Sequence, residues 1–261
     1  MIARLSRGSF ASGAALAVAL ALAGCGSDNK QADLTEVAAA TDNRPLPQVP
    51  PPNNADWTQT VQETPEGGYR MGNPDAPVKL VEYGSITCSH CAEFSEQGSQ
   101  PLINTYVKSG QVSWEFRPYV LFPSDPGIFL LLRCQGPQPF FALTEQLYAT
   151  QKDWVGRMQA QTPMINALPV EQKLAGFVQA GGIDQFFRQR GMPASRVQSC
   201  LADRASLQQV MNNSQRYTDQ DGVTGTPTFF LNGEKLENVG YWNNGNVNQS
   251  LEPRLRAAIG S

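Results

Sequence analysis

The chain has 261 residues, enough for one large domain or two small ones, and with 41% hydrophobic and 16% charged residues it can bury a core. A formal net charge of −3 with no basic block is a poor electrostatic match to nucleic acid. Five cysteines are too few for a small disulfide scaffold, which argues for a specific use of each one.

Residues 1–24 read as an export signal. Arg4 and Arg7 form a positive start, and residues 14–23 are an unbroken apolar run. As a helix that run spans about 15 Å, half a hydrocarbon core, so it reads as a signal segment and not a membrane span. Its removal takes away two cations and no acid, leaving the mature chain more acidic. Leu22-Ala23-Gly24-Cys25 follows directly and resembles the bacterial lipobox. That resemblance implies a diacylglyceryl group on the Cys25 sulfur, an anchor in the bacterial cell envelope and a body facing the periplasm. The alternative is an ordinary secretory signal with a chance cysteine. Gly26 follows Cys25 where an Asp would resemble an inner-membrane retention signal, which points toward the outer membrane. Residues 25–55 then read as a disordered tether. Pro45, Pro47, Pro50, Pro51 and Pro52 stand against only Leu34, Val37, Leu46 and Val49, too little apolar surface to offset ordering entropy.

The folded body is expected from residue 56. Residues 57–61 alternate as a strand, Glu66-Gly67-Gly68 is a turn signal, and residues 69–72 return as a short strand. Residues 78–84 are the strongest strand candidate. A helix is expected from Cys88 to Val107, ended by Gly110, and then a strand over 111–120. Strand, helix, strand implies a parallel pair with a right-handed crossover. From residue 124 the pattern turns helical, with pieces at 129–134, 140–152, 170–180, 183–190 and 193–201, Pro193 suiting a first turn. A longer helix at 205–218, a strand at 228–231, an Asn232-Gly233 hairpin turn, a partner strand at 235–239 and a closing helix at 249–259 complete the chain. The fold class is therefore α/β, a sheet domain over 56–123 and 205–261, split by an all-helical insertion at 124–204.

Cys88-Ser89-His90-Cys91 sits at the junction of the strongest strand and the first helix. Free N–H groups and the dipole at a helix start stabilise a thiolate on the first sulfur. Cys88 is thus the expected nucleophile and Cys91 the buried resolving partner. A protonated His90 would add positive charge near Cys88 and lower its pKa further. The bland readings are half of a zinc site for the cysteines and an uninvolved surface residue for His90. Zinc wants a second close pair, and a copper chaperone wants wider cysteine spacing and a distant histidine, whereas this chain has one histidine. No metal or organic cofactor is expected.

Together, the strand at 78–84, Cys88-Ser89-His90-Cys91, the helical insertion and Val223-Thr224-Gly225-Thr226-Pro227-Thr228-Phe229-Phe230 resemble the DsbA-like thiol:disulfide oxidoreductases of the thioredoxin fold. The resemblance covers about 205 residues and implies several roles. Pro227 would be a cis-proline beside the active-site disulfide, and the Thr226 backbone would pair with bound substrate chain. By sequence alone Pro227 is only a proline at a strand entry. Glu82, six residues before Cys88, would be a buried acid that relays a proton to Cys91, against the alternative of a strand end fraying into solvent. Some DsbA-like proteins carry a second disulfide in the helical domain. Here Cys134 and Cys200 would form it, closing a long loop worth on the order of 4 kcal/mol, unless both are free buried thiols.

The function this implies is oxidation of reduced, unfolded exported proteins by the Cys88–Cys91 disulfide, with a membrane redox partner to reoxidise it. Thr226 looks more like the isomerases, since strong oxidases of the family often have Val before the cis-proline. Isomerases usually add a dimerisation domain, which residues 26–55 cannot form, so a monomer is expected. A chaperone-like binding protein with a merely structural disulfide is the alternative from another class.

Overall fold

The computed structural model describes residues 45–260. Cys25, the signal and most of the tether lie outside the described residues.

Among the described residues, six strands form one mixed sheet in the order β1-β2-β4-β3-β5-β6. These are β1 Val61–Glu63, β2 Tyr69–Met71, β3 Val78–Gly84, β4 Val112–Pro118, β5 Thr228–Leu231 and β6 Glu234–Leu236. The centre is β3, parallel to β4 and antiparallel to β5. Along β3 the burial alternates over Val78 to Val81 and then stops alternating, because Glu82, Tyr83 and Gly84 are all buried. Both faces are covered there, as a central strand of an α/β sheet requires. Val78, Leu80 and Glu82 share one face with the main core, while Tyr83 packs with Tyr119, Tyr217 and Val223 on the other. Asn232 and Gly233 both take positive φ, 51° and 87°, which closes the β5–β6 hairpin in the mirror-image turn that suits the strand twist.

Helix α1 is Ser89–Phe94 and runs on through two π-helical stretches, Ser95–Ser99 and Leu102–Val107. Pro101 lies between them. It has no N–H to give the preceding turn, and its ring crowds the carbonyl four residues back, so the ladder loosens instead of breaking. Gly110 ends the segment at φ +76°, and a Cβ there would meet Val49 O at 2.6 Å and the Trp57 indole at 2.7 Å. That close approach moves the start of the body. Val49 N donates to Ser109 O at 2.8 Å, the Trp57 indole to Val49 O at 2.7 Å, and Gln111 Nε2 to Pro47 O at 3.1 Å, while Leu46 packs on the core. The end of the expected tether is therefore part of the fold. Residues 57–59 are a short 3-10 turn, and the strand expected there begins only at Val61.

The helical region holds α2 Asp125–Cys134, α3 Phe140–Ala149, α4 Gln151–Asn166, α5 Val170–Gly181, α6 Ile183–Arg188 and α7 Ala194–Leu201; α8 Arg204–Asp221 returns to the sheet and α9 Leu251–Gly260 closes the chain. The helix expected over 140–152 ends at Ala149, and α4 has no counterpart among the expected pieces. Helix α4 contains Pro163 and buries only the widely spaced Trp154, Met158 and Ile165 besides Gln151, so it shows little apolar periodicity. Pro193 is the N-cap of α7, one position before the first turn assigned to it. Cys134 at the end of α2 is bonded to Cys200 near the end of α7, with Cα atoms 6.2 Å apart.

Candidate active site

Three helices of the inserted region hold the loop that leads from β3 into Cys88. Asp125 of α2 accepts from Ser85 Oγ, Thr87 N and Thr87 Oγ1, and also from Leu121 N and Phe122 N in the loop after β4. Tyr148 of α3 donates its hydroxyl to Ser85 O at 3.0 Å, and Gln151 of α4 donates to both Ile86 O and Cys88 O at 2.8 Å. All three residues are buried polar groups that the sequence reading passed over. A signal for Asp125 was present, since Ser124-Asp125-Pro126 is a helix start. Tyr148 and Gln151 carried none, being polar positions in helices whose packing partners lie far away in sequence.

The loop so held delivers Cys88 as the N-cap of α1, with Cys91 in the first turn. Cys88 Sγ accepts from Cys91 N at 3.4 Å. As a thiol it donates to Thr226 O at 3.2 Å. The Cys88 thiol is brought down to about 6, first by the hydrogen bond from the Cys91 thiol, against burial, and then by Thr226 and the backbone N–H groups of Cys91 and His90. The Cys91 thiol is pushed well above the usual range by burial, by the hydrogen bond it gives to Cys88, and by the charges of Cys88 and Glu82. The two sulfurs are thus driven apart, one toward thiolate and one toward thiol. The His90 ring is exposed, and its Nδ1 lies 3.6 Å from Glu93 Oε2. The His90 main-chain N–H is among the donors that lower Cys88, and the ring lies toward a carboxylate.

Thr226–Pro227 is a cis peptide at the entry of β5. Its loop is braced from the far face of the sheet: Tyr119 Oη donates to Val223 O, Val223 N to Tyr217 O, and Tyr83 Oη to Asp221 Oδ2 while accepting from Arg117. Glu82 is 1% exposed and does not fray. The Trp114 indole donates to Glu82 Oε2 at 3.1 Å. Burial raises the Glu82 carboxyl to about 8, the Trp114 bond works against that, and the Cys88 charge adds to it. The structure therefore brings Cys88, Cys91, Thr226 and Glu82 together, places His90 at the rim, and sets the Cys134–Cys200 bridge apart in the helical region. Among the described residues no three His, Cys, Asp or Glu side chains are arranged to hold a metal ion.

The family model described as thioredoxin matches residues 64–244. The chain belongs to the thioredoxin family. That stretch contains the cysteine pair, the whole helical region and the cis-proline loop. A crystal structure of a protein-disulfide isomerase from Novosphingobium aromaticivorans superposes with a TM-score of 0.67 and 27% identity, covering 74% of this chain and 97% of that one. Wolbachia pipientis alpha-DsbA1 superposes at 0.52 with 19% identity, over 64% of this chain and 75% of that one, a likeness of fold. A curated Rickettsia bellii relative named "Putative protein-disulfide oxidoreductase" is 25% identical over 66% of this chain. The chain spans 60% of that relative's length, and 55% of its Rickettsia prowazekii counterpart.

Proposed function

We propose that the protein is an extracytoplasmic thiol–disulfide oxidoreductase, held to the bacterial envelope by lipid on Cys25, that oxidises reduced exported polypeptides. The observation that carries this is the opposite treatment of the two sulfurs, with Cys88 held as thiolate and Cys91 as thiol. The disulfide-oxidoreductase relatives support the same class. In the forward reaction a substrate thiolate attacks Cys88 Sγ of the Cys88–Cys91 disulfide. The S–S bond breaks, its electron pair goes to Cys91 Sγ, and that sulfur takes the proton of the Glu82 carboxyl. A second substrate thiolate attacks the mixed disulfide and releases Cys88 as its stabilised thiolate. Substrate loses two electrons, the cysteine pair gains them, and a membrane-bound oxidant withdraws them. Thr226 O, beside Cys88, is the acceptor that an extended substrate strand would pair with.

The direction follows from the thiolate. Stabilising Cys88 favours the reduced enzyme, and each 1.4 kcal/mol of that preference is about 30 mV in a two-electron couple. A reduction potential above that of thioredoxin (about −270 mV), measured against glutathione, is the expected result. His90→Ser should lower it without bringing it to that value, because the main-chain N–H remains. The second reading is an isomerase or reductase, favoured by Thr226 and by the likeness to the Novosphingobium protein-disulfide isomerase. A potential at or below thioredoxin's, with no oxidation of a dithiol peptide, decides for it, and absence of any exchange decides for a binding protein. The anchor is tested separately: Cys25→Ser should release a membrane-bound protein into the soluble fraction, and wild type already soluble with a free N-terminus rules the lipid out.

A further inference from the structure

Glu82 is buried, so whatever proton it gives to Cys91 must be replaced from solvent. Directly beside it lies a cavity of about 10 Å³, lined by Glu82 and Trp114 on the sheet side, by Ser95 and Ser99 of α1, and by Thr144, Glu145 and Tyr148 of α3. That is about the room one water needs; Phe94, Phe116 and Phe141 make much of the wall apolar, and Glu82 and Thr144 border it with polar groups that a water would bridge. One of them demands a partner. Thr144 is 4% exposed, and its Oγ1 has no hydrogen-bond partner in the protein. A buried hydroxyl left unpaired is costly, and a hydroxyl in the middle of a helix ordinarily bonds the carbonyl one turn back. Glu145, the next residue, lines the same cavity and is only half-buried. Its two carboxylate oxygens accept from Gln100 Nε2 at 3.2 and 3.0 Å, and Gln100 is exposed. Burial raises the Glu145 carboxyl, against hydrogen bonds from Gln100 and Ser99. The helical region thus lines the Glu82 cavity with a half-buried carboxyl and an unpaired buried hydroxyl. The wall opposite is the π-helical stretch of α1, a local widening of the kind that recurs at functional sites.

We propose that Thr144 and one water in this cavity carry protons between Glu82 and Glu145, making α3 the proton inlet of the active site. The inference rests on Glu82 acting as the proton donor to Cys91. When Glu82 has given its proton to the Cys91 thiolate, the water reprotonates it and takes a proton from Glu145, which recovers one from solvent; no electrons move. Thr144 is a positioning residue, since it holds the water and touches neither sulfur. The ionisable groups around this path are Cys88 and Cys91 at α1, Glu145 and Tyr148 on α3, and Asp125 on α2; the charges of Cys91, Glu82, Cys88 and Asp125 act on Tyr148. From the sheet, Phe229, Phe116 and Trp114 bring none.

The test compares wild type with Thr144→Val, Thr144→Ser and Glu145→Gln in oxidation of a dithiol peptide, across pH and in light and heavy water, together with their melting temperatures. A positioned proton donor contributes roughly 10²–10⁴-fold, so Thr144→Val should slow turnover about tenfold or more. The slowing should be greatest above about 8, where Glu82 no longer holds its own proton, and the solvent isotope effect should grow. Thr144→Ser should restore the rate, Glu145→Gln should resemble Thr144→Val, and the reduction potential should stay put in all three. Val is nearly the shape of Thr, so melting reads the hydroxyl without reference to catalysis: a bound water predicts a lower melting temperature for Thr144→Val. A higher one means that the hydroxyl was unpaired and overturns the proposal, as does an unchanged rate in Thr144→Val and Glu145→Gln. If wild type exchanges disulfides and these variants match it, the inlet alone fails. If wild type exchanges none, the functional reading fails and the inlet with it.

Discussion

Cys88→Ala is expected to abolish disulfide exchange, whereas Cys91→Ala should give a protein that accumulates a mixed disulfide. Cys88 is the sulfur at the helix N-cap, already mostly thiolate near neutral pH with its pKa at about 6. Cys91 is fully buried and held as a thiol. Challenged with oxidised glutathione, the Cys91→Ala protein attacks through Cys88, releases one glutathione thiolate and keeps the other as an adduct that mass spectrometry reads. In wild type Cys91 displaces that adduct. The same variant removes the largest stabiliser of the Cys88 thiolate, so its titration should move upward from about 6 toward the ordinary thiol value of 9.0. The pH consequence has a definite sign. The folded pKa lies below the unfolded one, so the thiolate stabilises the reduced fold fully above about 9 and is lost as pH falls through about 6. The stability of reduced over oxidised wild type should therefore rise between those values, and Cys91→Ala should flatten the rise. Equal adducts on the Cys88→Ala and Cys91→Ala proteins would contradict the assignment.

Much of this site is written in consecutive residues. The β3 run, the C-x-x-C pair at a helix start and a Thr-Pro before an aromatic strand are local patterns, and each is where the sequence places it. Glu82 is legible because strand parity puts it with Val78 and Leu80. What the sequence hides is everything held across long separations. The Gln151 amide reaches Cys88 O from 63 residues away, and Asp125 reaches Thr87 from 38. Helix α4 is hidden for a related reason: it is held by a few large side chains and by the polar clamp at its first residue, so apolar spacing does not reveal it. Composition misled only at the end of the tether. Pro47 and Val49 offer backbone groups and not apolar area, and they are docked by Val49 N donating to Ser109 O and by the Gln111 side-chain amide donating to Pro47 O.

Asp125→Ala should cost about 3–5 kcal/mol of stability, because it leaves five donors around a fully buried site without their acceptor. Two loops depend on that carboxylate. One is Ser85–Thr87, which sets the entry to Cys88; the other, after β4, carries Leu121 and Phe122, which are 41% and 46% exposed. Among the described residues no other side chain bonds both. Releasing them should loosen the Cys88 N-cap as well as the core, so the Cys88 titration should move upward in the folded variant, and a purely structural role would leave it in place. Asp125→Asn is the milder change. It keeps one acceptor oxygen, which serves either Thr87 or the Ser85, Leu121 and Phe122 group, and puts a donor against the other. Burial raises the Asp125 carboxyl, so its contribution is greatest below the usual carboxylate range and declines as pH rises through its folded value. The cost of Asp125→Asn should therefore be larger in acid than at neutral pH. Urea midpoints across that range, with alkylation rates of Cys88 alongside, measure both effects; a loss under about 1 kcal/mol for Asp125→Ala would show that the loops hold themselves.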